Sequence, residues 1–452
     1  MDIHGKLVRH LFYPLWLRRE HQYGILSRIA PIAALADLTP AALAERQFEL
    51  LKQIVSHAGR HSPFYQRRFA EAGFSPEKLT SPDDLKKLPI LAKEEINRHR
   101  EDMVVPAYRE RGDLQLSHTG GSSGIPMKFY RNRECLLYRR ALDHYLDHQI
   151  GFEIGDKLAL LWGSSADFLQ PTARKRVLFD HIFWRRICYV PLWVEEEPML
   201  DFTKSLHRFA PRMLKTYPSL AHFYCRFLIE RNITPPQIPI ITVTAEQMYD
   251  FQRELIVKTF GGELFDKYGS REIGSAAIEC RQHDGLHLRT DSLYLEIEPV
   301  SDFPVEGVGR QIYTDLRNYA MPLIRYDVGD LAALDNTPCA CGQPFPRLKN
   351  IQGRAFDIVY RRDGTPIIGI ELIGAVTHAG LPNQAQVQQD VPGKVIVNIV
   401  DLETVPREKL EYIRNRLMTI LGDDGRVDFC SVDYIERDKS GKYRYVLSNV
   451  KK

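Results

Sequence analysis

The 452-residue sequence lacks any apolar run approaching the ~20 residues that a membrane-spanning helix needs, so we expect no integral membrane segment. It also lacks a charge imbalance: the net charge is +3, which argues against a nucleic-acid-binding protein. Cysteine is scarce, and the odd count of seven argues against a disulfide framework and for a reducing, cytoplasmic environment. These absences indicate a soluble globular protein, and its length predicts more than one domain.

The N-terminal segment combines polar Asp2, His4 and Lys6 with a Leu/Phe/Trp-rich stretch that Pro14 interrupts. No small-residue cleavage site accompanies it. We therefore interpret this segment as a helix or arm packed on the body of the protein, and not as a signal peptide.

Hydrophobic periodicity divides the rest of the chain into three parts. Residues 1–100 are predicted to be helical, residues 101–354 alternate short apolar strands with helices, and residues 355–452 form a small α+β unit. The alternation predicts an α/β fold with a large multi-layered N-terminal domain. Ligands of open α/β sheets bind at the carboxyl ends of strands, so the loops after those strands are the places to seek chemistry. Predicted strands of this kind lie at residues 157–162, 187–190 and 238–243.

The stretch 117–128 carries three glycines and four hydroxyl side chains. Glycine lets the backbone approach a ligand closely, and successive amides with hydroxyl groups can surround phosphate oxygens. The stretch is not a Walker A loop, because Ile125 follows Gly124. Taken alone, a flexible turn explains the composition equally well. The predicted phosphate-contacting residues are Thr119, Gly120, Gly121, Ser122, Ser123 and Gly124.

Four further motifs follow in order along the chain. They lie at residues 243–246, at 265–274, at 319–330 with 353–357 closely after, and at 438–444. In this order and spacing the five motifs resemble the adenylate-forming ligases, the superfamily of acyl-CoA synthetases and nonribosomal-peptide adenylation domains. Within it the chain is similar to the phenylacetate-CoA ligase branch and to the subgroup labelled as capsular-polysaccharide biosynthesis ligases. The resemblance covers nearly the whole chain.

The resemblance implies an ATP- and Mg²⁺-dependent reaction in two steps. A carboxylic acid attacks the α-phosphate of ATP, giving an acyl-adenylate and pyrophosphate, and the acyl group then passes to CoA. An amine acceptor is an alternative, as is an adenylyltransferase that leaves AMP on its substrate, and a non-catalytic nucleotide-binding or assembly protein is a rival of another class. The fold implied is a large adenylate-forming domain with a small mobile C-terminal lid, and a homodimer is a further expectation.

The resemblance also implies roles for individual residues. It makes Lys442 the lysine that bridges the α-phosphate and the acid, Glu272 the Mg²⁺ ligand and Asp357 the hinge of the lid. The rival interpretation of Glu272 and Lys442 is that of solvated surface charges. One departure concerns Ile125, since the branch usually has lysine there, which shifts the expected phosphate contacts toward the backbone and toward Lys128 or Arg131. The remaining predicted ATP-binding residues are Tyr268, Gly269, Ser270, Asp330 and Arg354, and the acid pocket is predicted from Trp162, Tyr217, Ser219, Ala245 and Glu246.

A second constellation predicts a structural Zn²⁺ site. Two cysteines close in sequence, together with a distant Cys and His, can bind zinc tetrahedrally. The predicted ligands are Cys280, His287, Cys339 and Cys341, with His283 as the substitute for His287. The alternative is that these thiols are small buried hydrophobic groups.

Overall fold

The computed structural model describes residues 2–119, 127–162, 180–189, 196–300, 305–354, 358–377, 379, 381, 384–437 and 442–450. The chain divides into two compact units. The larger unit comprises Met1–Glu296, Gln311–Val328 and Leu334–Lys349, and the smaller comprises Ile297–Arg310, Gly329–Ala333 and Asn350–Lys452. Within the described part of the chain, no helix has the length and apolar character to cross a bilayer. The predicted domain limits at residues 100 and 355 stay predictions.

The first hundred residues are helical, as predicted. Ile3–Leu7, a π-helical turn at Val8–Phe12 and Tyr13–Arg19 follow one another without a break. Pro14 lies in the first turn of the last of these, where its missing N–H costs little. The remaining helices of this region are Gly24–Ala33, Pro40–His61, Pro63–Glu71, Lys93–Met103 and Pro106–Glu110.

Strands β1 (Gln115–His118) and β2 (Lys128–Arg131) pair antiparallel on either side of the glycine-rich stretch. The main sheet has eleven strands in the order β10-β11-β12-β13-β9-β8-β7-β6-β5-β3-β4. Neighbours from β4 to β7 are parallel, whereas β7, β8, β9 and β13 pair antiparallel. Their bounds are β3 Leu158–Leu161, β4 Arg186–Tyr189, β5 Met213–Thr216, β6 Ile240–Thr244, β7 Glu263–Ser270, β8 Gly274–Glu279, β9 Leu286–Leu288, β10 Leu293–Pro299, β11 Gly309–Asp315, β12 Tyr326–Asp335 and β13 Arg347–Arg354.

Both faces of the parallel strands are covered, because successive side chains on a strand point to opposite faces. Met213 and Phe265 pack with Tyr145 of the helix Arg133–Gln149 and with the N-terminal helices. Their neighbours Leu214 and Leu264 pack on the other side, against three further helices. Those helices are Glu196–Phe209, Pro218–Glu230 and Asp250–Phe260. The predicted α/β fold class is thereby confirmed.

The smaller unit is built mainly from the C-terminal residues. The strands β14 (Ile358–Tyr360) and β15 (Pro366–Ile368) form a hairpin, in whose turn Gly364 has φ 88°. A four-stranded sheet follows in the order β18-β17-β16-β19. Its elements are the helices Gly369–Thr377 and Arg407–Leu421 and the strands β16 Ala385–Val391, β17 Lys394–Val400, β18 Arg426–Val432 and β19 Val446–Ser448.

Candidate active site

The carboxyl ends of the parallel strands bring the predicted acid-pocket residues to one edge of the larger unit. In the register of the sheet, Leu161 pairs with Thr216, so the residues that follow β3 and β5 lie side by side. These are Trp162 and Tyr217, whose rings meet edge to face with centroids 4.8 Å apart. Strands β6 and β7 end at the same edge, with Ala245 after β6 and Tyr268 near the end of β7.

Glu246 and Ser219 are joined directly at this edge. The amide nitrogen and the Oγ of Ser219 each donate to the Glu246 carboxylate at 3.0 Å. Ser219 lies in the first turn of the helix Pro218–Glu230, where amides have no partner within the helix and a negative charge is favoured. Ala245, next to Glu246, has φ 75°, a left-handed conformation that is costly for a residue with a Cβ. The Glu246 contact thus ties the segment after β6 to the N-terminus of the helix Pro218–Glu230.

Glu272 lies in the tight turn between β7 and β8, and this turn is held from the core. The guanidinium of Arg139 donates to the carbonyl of Glu272 at 2.6 Å and to that of Arg271 at 3.2 Å. Arg139 is buried and forms an ion pair with the buried carboxylate of Asp315 at 2.7 Å. The turn therefore keeps its conformation through a side chain on the helix Arg133–Gln149.

The carboxylate of Glu272 is half-buried. The hydroxyl of Tyr326, a buried residue at the start of β12, donates to its Oε1 at 3.3 Å. A half-buried carboxylate fits a hard cation such as Mg²⁺, which takes one or two carboxylates and keeps several waters.

The two ends of the glycine-rich loop are fastened together beside this turn. The amide of Thr119 donates to the Met127 carbonyl at 2.9 Å, and the Met127 amide donates to Thr119 Oγ1 at 2.9 Å. Arg271 donates to the carbonyl of His118 at 3.0 Å, which links the loop entry to the Glu272 turn. The predicted contacts Gly120, Gly121, Ser122, Ser123 and Gly124 lie outside the described residues, as does Ile125.

Arg131, which the sequence suggested as a phosphate contact, is engaged elsewhere. Its guanidinium donates to Ser117 Oγ at 2.5 Å and to the Arg271 carbonyl at 3.4 Å. Burial lowers the pKa of Arg131 to about 10. Lys128, by contrast, is exposed, and its amide donates to Asn97 Oδ1 at 3.2 Å.

Three of the predicted site residues belong to the smaller unit. Asp330 lies in β12, Arg354 is the last residue of β13, and Lys442 is half-buried. Lys442 precedes Tyr443, a buried residue whose hydroxyl donates to the Ala385 carbonyl at 2.8 Å. The predicted hinge, Asp357, lies outside the described residues.

The four predicted zinc ligands form one cluster in the larger unit. The ligand atoms of Cys280, His287, Cys339 and Cys341 all lie within 4.8 Å of one another. Cys280 Sγ is 3.8 Å from Cys339 Sγ, and Cys341 Sγ is 3.3 Å from His287 Nε2. Two thiolates on one tetrahedral Zn²⁺ are ~3.8 Å apart when each Zn–S bond is ~2.3 Å. The spacing therefore fits a zinc ion.

The groups around the cluster orient its ligands. His287 Nδ1 is 3.1 Å from the Phe345 carbonyl, which only accepts, so Nδ1 carries the proton and Nε2 keeps its lone pair for the cluster. The amide of Gln282 donates to Cys280 Sγ at 3.4 Å, and that of Gln343 to Cys341 Sγ at 3.5 Å. The substitute ligand His283 instead has its Nδ1 3.1 Å from a Glu279 carboxylate oxygen.

Comparison with known proteins adds an independent line of evidence about the family of this chain. A family model described as the CapK C-terminal domain matches residues 359–449. Protein CapK of Staphylococcus aureus is 23% identical over 419 residues, which cover 90% of each protein. A phenylacetate-coenzyme A ligase of Thermus thermophilus is 26% identical over 330 residues, or 70% of this chain and 71% of that protein. A crystal structure of 2-hydroxyisobutyryl-CoA ligase in its postadenylation state matches with a TM-score of 0.72 at 20% identity, covering 92% of each chain.

The chain is similar to the adenylate-forming ligases in sequence and in fold. The matches support the phenylacetate-CoA ligase-like branch and the CapK subgroup that the motifs predicted, and they support an enzyme of this class. The rival interpretation as a non-catalytic nucleotide-binding or assembly protein has no support in these comparisons.

Sequence reasoning missed two residues that shape the site of this ligase. Tyr326 lies inside the motif at residues 319–330, but the sequence did not indicate a function for it. Arg139 gave no signal, because an arginine on an amphipathic helix is ordinarily solvated. Only the fold shows that its guanidinium points inward to the Glu272 turn and Asp315.

Proposed function

We propose that the protein is an ATP-dependent carboxylic acid ligase that forms an acyl-adenylate and transfers the acyl group to CoA. One observation carries the proposal: Trp162, Tyr217 and Ala245 follow strands of the same sheet whose β7–β8 turn presents Glu272 beside the loop ends. Relatives named as phenylacetate-coenzyme A ligases support CoA as the acceptor.

The first step makes one bond and breaks one. An oxygen of the acid bonds to the α-phosphorus of ATP, and the bond from that phosphorus to the departing pyrophosphate breaks. Negative charge builds on the phosphate oxygens, and donors held in fixed positions stabilise it. Amides of the glycine-rich loop are proposed for that task, and Glu272 would hold a Mg²⁺ ion, which neutralises phosphate charge when bound.

The smaller unit supplies the other proposed groups. Asp330 would accept hydrogen bonds from the ribose hydroxyls, and Arg354 would contact ribose and phosphate through its planar guanidinium. Lys442 would provide a compact positive charge to the acid and the α-phosphate. Asp357 is proposed as the hinge at which the lid turns between the two steps.

The acid pocket is proposed to take an acid with an apolar body. The edge-to-face pair of Trp162 and Tyr217 provides an apolar wall. Both oxygens of the only carboxylate predicted for this pocket, Glu246, accept from Ser219, which moderates its repulsion of an anionic substrate.

The Cys280, His287, Cys339 and Cys341 cluster is proposed to hold a structural zinc ion. All four ligands come from the protein, which is typical of a structural site, whereas a catalytic zinc keeps an open position. The ion would tie the β8–β9 hairpin to the segment before β13.

Analysis of the products tests the proposed reaction. The purified enzyme is incubated with ATP, Mg²⁺ and a panel of aliphatic and aromatic acids, with and without CoA, and all products are identified by mass. We expect AMP, pyrophosphate and an acyl-CoA. An acyl-amide formed only with an added amine would move the acceptor to an amine, and a product that retains AMP would make the enzyme an adenylyltransferase. Formation of ADP and phosphate would contradict an adenylate-forming reaction.

A further inference from the structure

Four large apolar side chains lie in a row on the outside of the N-terminal helices. Ile3, Leu7, Leu11 and Leu15 are exposed, with 68%, 44%, 46% and 52% of their surfaces accessible. On an α-helix each residue is displaced by about 40° around the axis from the residue four positions earlier. A row of four such residues would therefore turn gradually toward another face of the helix. The π-helical turn at Val8–Phe12 contains an extra residue, which returns Leu15 toward the line of the others. We call these four residues the N-terminal stripe.

The stripe faces outward because the opposite side of the same helices is fixed to the larger unit. Val8, Tyr13 and Leu17 are buried, and Tyr13 Oη is 2.5 Å from His144 Nε2. Asp2 caps the first helix through the Gly5 amide at 2.9 Å and accepts from Arg185 at 2.6 Å. The helices are therefore anchored by their inner face, and the apolar row is a fixed part of the surface.

Apolar surface continues beyond the helices. The ring of Phe12 meets that of Phe183 edge to face at 5.5 Å between centroids. Phe183 and its neighbour Ile182 are themselves 39% and 40% exposed. Single exposed apolar residues are ordinary, but a contiguous apolar patch on a protein surface marks an interaction site.

The charges around the stripe are mostly positive. Lys6, Arg18 and Arg19 are exposed on the same helices. Of the nearby acids, Asp2 is paired with Arg185, and Glu20 lies 3.9 Å from Arg19. An apolar row with basic flanks matches the two components of an anionic bilayer surface, its acyl region and its phosphate headgroups.

We propose that the N-terminal stripe docks the enzyme on an anionic membrane surface. The four apolar side chains would enter the headgroup–acyl boundary, and Lys6, Arg18 and Arg19 would meet lipid phosphates. A second copy of the chain fits the stripe less well, since a two-fold axis pairs a surface with itself. Antiparallel pairing would set Lys6 against the arginines of the other copy, and parallel pairing would set each cation near its own counterpart.

Vesicle flotation tests the apolar part of the proposal. We expect the full-length enzyme to float with phosphatidylcholine vesicles that contain about one third phosphatidylglycerol, and far less with phosphatidylcholine alone. The double variant Leu7→Gln/Leu11→Gln should bind the anionic vesicles at least about 10-fold more weakly, because two apolar side chains no longer enter the bilayer. The matched control is Ile229→Gln, which alters a residue 51% exposed on another helix and should bind as the wild type does.

A second vesicle experiment tests the contribution of the basic residues. The triple variant Lys6→Gln/Arg18→Gln/Arg19→Gln should lose about 100-fold in binding to the anionic vesicles. Acid-dependent pyrophosphate exchange in solution should stay unchanged in all these variants, which shows that they fold. The proposal is overturned if the wild type does not float with anionic vesicles, or if Leu7→Gln/Leu11→Gln floats equally well. A dimer in sedimentation velocity that this variant dissociates, without vesicle binding, would assign the stripe to a second copy.

Discussion

Arg139 links the core of the larger unit to the turn that carries Glu272. Its charge is balanced by Asp315, and two of its hydrogen bonds go to the carbonyls of Arg271 and Glu272. Removing one partner of a buried ion pair leaves the other charge buried and uncompensated. Arg139 is for this reason a positioning residue whose loss affects both stability and the turn.

Replacement of Arg139 by methionine should lower the free energy of unfolding by about 3–5 kcal/mol, because Asp315 then stays buried without its partner. Urea denaturation of the purified variant measures this. Arg140→Met is the matched control, since Arg140 is the exposed neighbour on the same helix, and it should change stability by less than about 0.5 kcal/mol. Equal effects of the two substitutions would contradict the role given to Arg139.

His222 gives a pH-dependent contribution to stability. Burial, together with the charge of Arg226, lowers the pKa of His222 to about 4. An unfolded histidine has a pKa of about 6.5, so between these values the unfolded chain binds more protons and stability rises with pH. The contribution is present above about pH 6.5 and is lost as the pH falls toward 4.

His222→Gln should therefore flatten the acid side of the stability profile. Between about pH 7.5 and about pH 4.5 the variant should lose roughly 2 kcal/mol less than the wild type. Urea unfolding at both pH values measures the difference, with the exposed His10→Gln as the control that keeps the wild-type slope. An unchanged slope in His222→Gln would show that another group is responsible.

At the scale of elements, the sequence was most informative for the short apolar strands of the parallel part of the sheet. The apolar runs at 157–162, 187–190 and 238–243 correspond to β3, β4 and β6. Strand β5 was missed because Lys215 interrupts it, and that lysine is accommodated by an ion pair with Asp147 at 2.8 Å. A pattern of residue types does not reveal such a distant partner.

Some residues of the candidate site could likewise be predicted from the sequence, and others could not. The residues after β3 and β6 could be expected at one edge, because parallel strands align their carboxyl ends. The Cys/His cluster was predictable from ligand chemistry, and the fold brings His287 among the three thiols while His283 contacts Glu279 instead. Arg139 could not be foreseen, since its partners lie on the β7–β8 turn and at Asp315.

Zinc binding should be measurable both as metal content and as added stability of the folded protein. The purified protein should contain about one zinc per chain, and Cys339→Ser should lose it. An ion that binds only the folded state at about 100 times its Kd adds about 2.7 kcal/mol, so adding zinc to chelator-treated wild type should restore roughly that much stability. The control Cys188→Ser changes an exposed cysteine outside the cluster. Metal-free wild type with unaltered stability would contradict a structural zinc.

At the scale of the whole molecule, the proposed chemistry draws on both compact units. The crevice, the Glu272 turn and the metal cluster belong to the larger unit, and Asp330, Arg354 and Lys442 belong to the smaller one. The proposed first step assigns a role to both sets of residues. Loss of one charge in the smaller unit should consequently slow a reaction whose proposed acid pocket belongs to the larger unit.

The exchange of labelled pyrophosphate into ATP, driven by an acid that the product analysis identifies, tests this account most directly. The wild-type enzyme should catalyse the exchange only with both the acid and Mg²⁺ present. Lys442→Ala should lower the rate at least about 100-fold, because the charge opposite the phosphate and the acid is gone. Lys394→Ala, an exposed lysine paired with Asp428 in the same unit, should exchange as the wild type does. Acid-independent exchange, or full exchange by Lys442→Ala, would contradict the account.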